Sequence, residues 1–205
     1  MNFKTSLAVA LLGFSALGAN AASNLVNNGS FESTVQSGGT WGTYPSLPGW
    51  VGLPTVELRN NVSGVAQDGN NFVELDTNRN SGIAQTIVAS GLVELSFWYS
   101  ARPGTGATND IGVSFGESFQ AVVLQGVTNN TSANIWQKFT QVINLGNSGS
   151  AVLAFYGQGS SDSFGGSLDN ISVTAVPEPE TFAMLLAGLG LVGTIVRRRK
   201  TMQAA

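Results

Sequence analysis

From residue 71 to residue 174 apolar and polar side chains come in short alternating or β-rich runs, the two-residue period of half-buried strands. Strands are predicted over 71–76, 83–88, 92–100, 111–115, 120–124, 136–143, 151–156 and 168–174. In Leu92-Val93-Glu94-Leu95-Ser96-Phe97-Trp98-Tyr99 the alternation puts Leu95, Phe97 and Tyr99 on one face and Glu94, Ser96 and Trp98 on the other. Turn-forming clusters separate the runs, among them Asp68-Gly69-Asn70, Pro103-Gly104-Thr105-Gly106 and Gly146-Asn147-Ser148-Gly149. A spacing near ten residues, with no helical period between strands, predicts an all-β antiparallel sandwich. The stretch before residue 71 reads as rich in loops.

Two runs at the ends break this pattern. Lys4 precedes an apolar stretch over 7–19, and Ala19-Asn20-Ala21 follows with the small-x-small signature of signal-peptidase cleavage. Residues 1–21 are expected to form a signal helix that is removed. Near the other end, 182–196 is apolar except for Thr194, so it has no polar face with which to sit in a soluble core. Its fifteen residues span about 22 Å as a helix, short of the roughly 30 Å hydrocarbon core, so it is expected to be a short transmembrane helix. Arg197, Arg198, Arg199 and Lys200 should stay cytoplasmic and leave the preceding chain outside.

The order Val176-Pro177-Glu178-Pro179, apolar run with Gly188-Leu189-Gly190-Leu191, arginine cluster closely resembles the PEP-CTERM sorting tail. The resemblance implies recognition of Pro177, Glu178 and Pro179 by an exosortase, a membrane peptidase. It also implies a transient stay in the inner membrane and release to the cell surface or matrix of a polysaccharide-secreting Gram-negative bacterium. The chain then divides into a signal peptide (1–21), one passenger domain (22–176) and a sorting tail (177–205), with the motif at 176–180.

With the end signals set aside, the charge balance changes. The passenger keeps four basic residues, Arg59, Arg79, Arg102 and Lys138, against ten acidic ones, a net charge of −6 where the whole chain has −3. A basic stripe for nucleic acid is missing. Cysteine and histidine are absent, which excludes disulfides, Ser-His-Asp and Cys-His catalysis, and zinc sites of ordinary composition. Ten acids leave paired-carboxylate glycoside hydrolysis open in principle. None stands in a recognisable motif, with Asp68 and Asp110 in turns and Glu74 and Glu94 expected on solvated strand faces.

Asn28-Gly29-Ser30-Phe31-Glu32 near the start, Leu47-Pro48-Gly49-Trp50, Asp68 to Asp76, and Leu168-Asp169-Asn170-Ile171-Ser172-Val173 at the close resemble a second group. They are similar to galactose-binding-like jelly rolls of carbohydrate-binding modules and of the exported group labelled choice-of-anchor C. This implies a jelly-roll β-sandwich. It also implies a structural calcium ion held by Glu32, Asp169 and the Gly29 carbonyl, with Asp68 a further ligand; the alternative is that Glu32 and Asp169 only accept hydrogen bonds from loop amides. Oxygen donors of this kind suit calcium. Sugar binding in such domains needs an exposed aromatic face. Trp50 and Trp136 are expected in the core, while Trp41 and Tyr44, in the glycine- and proline-flanked stretch 39–45, are expected to be exposed ligand-binding residues, with Trp98 a third.

Together these expectations describe an exported, noncatalytic protein that associates with extracellular polysaccharide. A structural matrix protein without a glycan ligand is the alternative, and a glycoside hydrolase the third.

Overall fold

The computed structural model of the protein describes residues 23–105, 109–124, 133–177 and 185–193. Ten strands form in chain order: β1 (Thr40–Leu47), β2 (Trp50–Asn60), β3 (Asn71–Glu74), β4 (Gly82–Ile87), β5 (Leu92–Ser100), β6 (Ile111–Phe115), β7 (Phe119–Leu124), β8 (Gln137–Asn144), β9 (Ala151–Gly157) and β10 (Ser167–Ala175). All pairings are antiparallel, in the order β7-β6-β9-β4-β2-β3-β10-β5-β8, with β1 beside β2. The start of β2 pairs with β4 through Val51 and Gly52, and its end pairs with β3 through Glu57 to Asn60. The β1–β2 hairpin is thus shared by two layers. They face each other across one core, where Phe97 of β5 stands edge-on to Phe155 of β9 at 4.9 Å. This is the predicted jelly-roll sandwich.

Strands β5 and β6 have the predicted bounds, and the other predicted runs are found within two residues of them at each end. The loop-rich reading of residues before 71 is overturned: β1 and β2 are strands, and β2 is eleven residues long. Gly42 and Pro45 in β1, and Gly52 and Pro54 in β2, hide the alternation, because proline normally demotes a run to non-strand. Here the register shifts between Tyr44 and Ser46, and the irregularity absorbs Pro45.

Alternation decides which side chains enter the core. Val56 and Leu58 of β2, Val73 of β3, Val93, Leu95 and Phe97 of β5, and Leu168 and Val173 of β10 are buried from one layer. Ile83 and Ile87 of β4, Leu153 and Phe155 of β9, and Ile111, Val113 and Phe115 of β6 meet them from the other. Trp50 joins this core, as expected, between Phe31 at 5.9 Å and Phe155 at 6.3 Å. Trp136 does not. It is half-buried and sits edge-on to Phe72 at 5.9 Å, with its indole N–H donating to the Val65 carbonyl. Phe72 pairs with Arg59, not with a core residue, so this contact lies on the outer face of the layer.

Of the end signals, Ala19, Ala21, Glu178, Pro179, Arg197, Arg198 and Arg199 lie outside the described residues, as does the signal helix; Pro177 is exposed. Residues 185–193 are helical and exposed. Among the described residues no helix is long and apolar enough to cross a membrane, and the expected span 182–196 runs past them at both ends.

Candidate functional site

The opening and closing motifs meet. Ile171 N donates to the Gly29 carbonyl at 2.9 Å, so tightly that a Cβ on Gly29 would overlap the Ile171 carbonyl. Asn24 caps the irregular part of β10, donating to the Ile171 carbonyl and accepting from Val173 N. Asn28 donates to the Pro48 carbonyl, and the Trp50 indole donates to Asn28, which joins the opening motif to the β1–β2 turn.

Glu32 and Asp169, 137 positions apart, both grip the segment before β3. Glu32 Oε1 accepts from Asn70 N and Asn71 N at 2.9 and 2.6 Å. Asp169 Oδ2 accepts from Gln67 N and Asp68 N at 2.8 and 2.9 Å, and its Oδ1 from Asn170 N. The donor chemistry is that of a calcium site, all carboxylate and carbonyl oxygen. As folded, however, the carboxylates face amide hydrogens, the Gly29 carbonyl holds Ile171, and the Asp68 side chain is exposed. Among the described residues no three acidic side chains converge on one point. As folded, the arrangement works as an amide clamp that ties both ends of the domain to the segment at the start of β3.

The expected aromatic platform is not assembled. Trp41 pairs with Arg59 and points outward, 56% exposed; Tyr44 pairs with Val56 and points inward. Tyr44 packs against the core and donates its hydroxyl to Gln36 Oε1 at 2.7 Å. Three residues apart on a strand, the two rings fall on opposite faces. They lie on a strand and not in a loop, so the shared surface predicted for them does not exist. Trp98 is half-buried on the outer face, in register with Asp169 and Lys138.

That outer face carries a feature the sequence reading missed. Glu57 and Glu74 are direct partners on β2 and β3, and Arg59 bridges them, with Nη2 2.6 Å from Glu57 Oε1 and 2.6 Å from Glu74 Oε2. Arg102 reaches Glu74 Oε1 at 3.2 Å, donates to the Ser163 carbonyl and covers the Phe164 ring at 4.6 Å. Gly165 N adds a hydrogen bond to Glu74. Glu74 is therefore fully buried, not on the solvated face expected for it; Glu94 is exposed as predicted. The loop carrying Ser163 to Gly165 makes the difference. It is fixed from below by Asp76 Oδ2, which accepts from Asp162 N and Ser163 N.

Burial pushes the Glu74 carboxyl up to about 7 against the pull of Arg59 and Arg102, and raises Glu57 as well. Burial also lifts Asp169 to about 7 despite its three amides. Such groups bind protons more tightly in the fold than in the unfolded chain, so their stabilising effect is complete below the unfolded values near 4 and is lost as pH rises through about 7. The melting temperature is expected to be higher at pH 5.5 than at pH 8, and the difference to shrink in Glu74→Gln. A melting temperature that climbs over this interval would contradict it.

The opposite outer face, over β4, β9 and β6, holds an open groove of about 680 Å³. Its lining includes Thr86, Ser114, Glu117, Ser148, Val152 and Tyr156. Alternation again sets the layout. Ile83, Phe155 and Val113 go inward, so Ala84, Ala154 and Ser114 form one outward row. Gly82, Tyr156 and Gly112 form the next. The Tyr156 ring lies across Gly82, where an added Cβ would come within 3.1 Å of it. Gln158 covers Gly112 in the same way. Of these two rows Ser114 and Tyr156 line the groove, together with the exposed Val152; Val51, exposed beside Ala84, lies outside its lining. Sequence reading found strands β4, β6 and β9 but not this groove, since its residues come from separate strands and no single run marks them.

Comparison with known proteins agrees with both signals. Residues 175–200 match the PEP-CTERM protein-sorting motif, which implies export and a C-terminal anchor. No curated protein matches the chain by sequence. Among solved structures the fold is similar to that of TmCBM61 in complex with β-1,4-galactotriose, at 13% identity and a TM-score of 0.52, covering 76% of this chain and all of that one. A family 16 carbohydrate-binding module aligns over 74% of this chain and all of its own, at 16% identity and a TM-score of 0.48. A family 35 module from Clostridium thermocellum aligns over 66% of this chain and 92% of its own, at 17% identity and a TM-score of 0.44. At these identities the likeness is one of fold.

Proposed function

We propose that the protein is an exported, noncatalytic envelope or matrix protein that associates with extracellular polysaccharide through the Tyr156 groove. The groove carries this reading. A half-exposed Tyr156 ring in a groove shared with Gly116, Ala151 and Val152 offers an apolar partner to sugar C–H groups, and Thr86, Ser114, Ser118, Ser148 and Ser150 supply hydroxyls. Its volume falls in the range of small-ligand sites. The fold shared with TmCBM61, a module solved with a galactotriose, supports a glycan as the ligand class.

A hydrolase needs two carboxylates across a cleft. Glu57 and Glu74 are buried and bridged by Arg59, Glu32 and Asp169 are engaged by amides, and the groove is lined by a single acid, Glu117. This supports a binding role.

Binding is tested by affinity electrophoresis of the secreted protein through gels holding the organism's own polysaccharide. Tyr156→Ala is expected to weaken retardation by about tenfold or more, on the order of the 1–3 kcal/mol of one aromatic side chain. Trp41→Ala, on the other layer, should leave it unchanged. Loss in Trp41→Ala alone would move the site to the outer face of β1 and β2. No retardation at all would favour a matrix protein without a glycan ligand.

The address belongs to the same proposal: signal peptidase cuts after Ala21, the tail holds the chain in the inner membrane of a Gram-negative cell with Arg197 to Arg199 cytoplasmic, and an exosortase acts at Pro177-Glu178-Pro179. The mass of protein recovered from the medium should lack both end segments. Recovery of chains that retain Arg197 to Lys200 would end the sorting part of the proposal.

A further inference from the structure

We infer that the Tyr156 groove takes a neutral glycan chain and rejects chains bearing uronate or sulfate; this rests on the polysaccharide-binding reading above and gives it a ligand class. The charge of the lining carries the inference. Its polar side-chain groups are hydroxyls and the Glu117 carboxylate, and among the described residues no lysine or arginine lines it.

None of the passenger's four cations is among the residues that line it. Arg59 bridges Glu57 and Glu74 beneath the surface of the other layer. Arg102 binds Glu74 and the Ser163 carbonyl over the Phe164 ring. Lys138, exposed on β8, is in register with Trp98 of β5 in the other layer. Arg79 lines a separate cavity with Pro54, Thr55, Thr77 and Asn78. Segments 106–108 and 125–132 contain no lysine or arginine, and the remaining basic residues, Lys4 and Arg197 to Lys200, belong to the end segments that the proposed processing removes.

An acidic sugar laid in this groove would give up part of the water around its charge and meet no basic partner, which costs free energy. It would also meet Glu117 directly, at a range that salt screens little inside a groove. The passenger's net charge of −6 opposes anionic chains even before contact. A neutral sugar has no such penalty. Its C–H face rests on Tyr156, and its hydroxyls exchange water for Ser, Thr and carboxylate acceptors. Val152, half exposed in the same lining, adds apolar contact that a hydrated carboxylate or sulfate cannot use.

The test is affinity electrophoresis of the secreted protein in native gels holding neutral glucan, xylan, galactan or mannan, or else alginate or polygalacturonate, at low and physiological ionic strength. Retardation is expected on at least one neutral polymer and on neither acidic one. Tyr156→Ala should weaken it by roughly tenfold or more, the effect of withdrawing one aromatic face, while Tyr156→Phe keeps it. Glu117→Lys should add salt-sensitive retardation on alginate, because it replaces the acid of the groove with a cation. Retardation of the native protein by an acidic polymer, abolished in Tyr156→Ala, would overturn the inference and leave the polysaccharide reading standing. Neutral binding indifferent to Tyr156→Ala would remove the groove as the site. Failure to bind every polymer, the organism's own included, would remove both.

Discussion

Arg59→Ala is expected to lower the stability of the domain by about 3–5 kcal/mol, because it leaves two carboxylates buried without their shared counter-ion. The side chains of Arg59, Glu57 and Glu74 are 4%, 4% and 0% exposed, and the guanidinium is 2.6 Å from each carboxylate. Arg102, at 3.2 Å and 18% exposed, reaches only Glu74. Glu57 therefore loses its main partner. Given a total stability on the order of 5–15 kcal/mol, the loss corresponds to roughly 6–20 °C in melting temperature for a domain of this size. It should be larger at pH 8 than at pH 5.5, since burial already raises both carboxyls and protonation relieves them. Arg59→Lys keeps the charge but not the planar fork, and should fall between. Replacing Arg59, Glu57 and Glu74 together by apolar residues of similar volume should recover most of the loss. A cost below about 1 kcal/mol for Arg59→Ala would show that water enters the cluster and screens it.

Asp169→Ala is the second large effect, at about 2–4 kcal/mol. One fully buried carboxylate accepts from three backbone amides, two of them more than a hundred positions away, and hydrogen bonds to charged groups contribute more than neutral ones. Its removal frees the segment before β3 from the end of β10. Asp169→Asn retains one oxygen acceptor and should cost less. Chemical denaturation of both variants with chelator, and again with calcium, separates the clamp from a cation. An amide clamp predicts the same loss in each. A calcium ion shared by Glu32 and Asp169 would instead stabilise the native protein alone, by roughly 2.7 kcal/mol at a hundredfold excess over Kd, and chelator would erase that difference.

Both variants probe the outer face of one layer, and sequence reading succeeded and failed there for a definite reason. Alternation correctly put Leu95 and Phe97 of β5 inside and Glu94 outside. It also put Glu74 on a face away from the core, which is where Glu74 points. Alternation cannot say that Arg102 and the loop through Gly165 fold down over that face and remove it from water. Trp41 and Tyr44 failed by a simpler route. Once Pro45 made the segment look like a loop, their odd spacing carried no meaning. As a strand, the same spacing sends one ring out and the other into the core.

The sequence by itself determined what local order can encode. The apolar run with its Pro-Glu-Pro and arginine flanks is read linearly, and its match at 175–200 needs no folded context. The two-residue period predicts antiparallel strands with one buried face, and the opening and closing motifs mark the two ends of the domain. Tertiary structure decided everything that depends on which strands become neighbours. Glu57 meets Glu74 only through the β2–β3 register, and Thr86, Ser114 and Tyr156 share a groove only because β4, β9 and β6 lie side by side. Periodicity fixes the face a residue points to, but burial and binding depend on what crosses that face, and those partners come from distant parts of the chain whose approach no local pattern records.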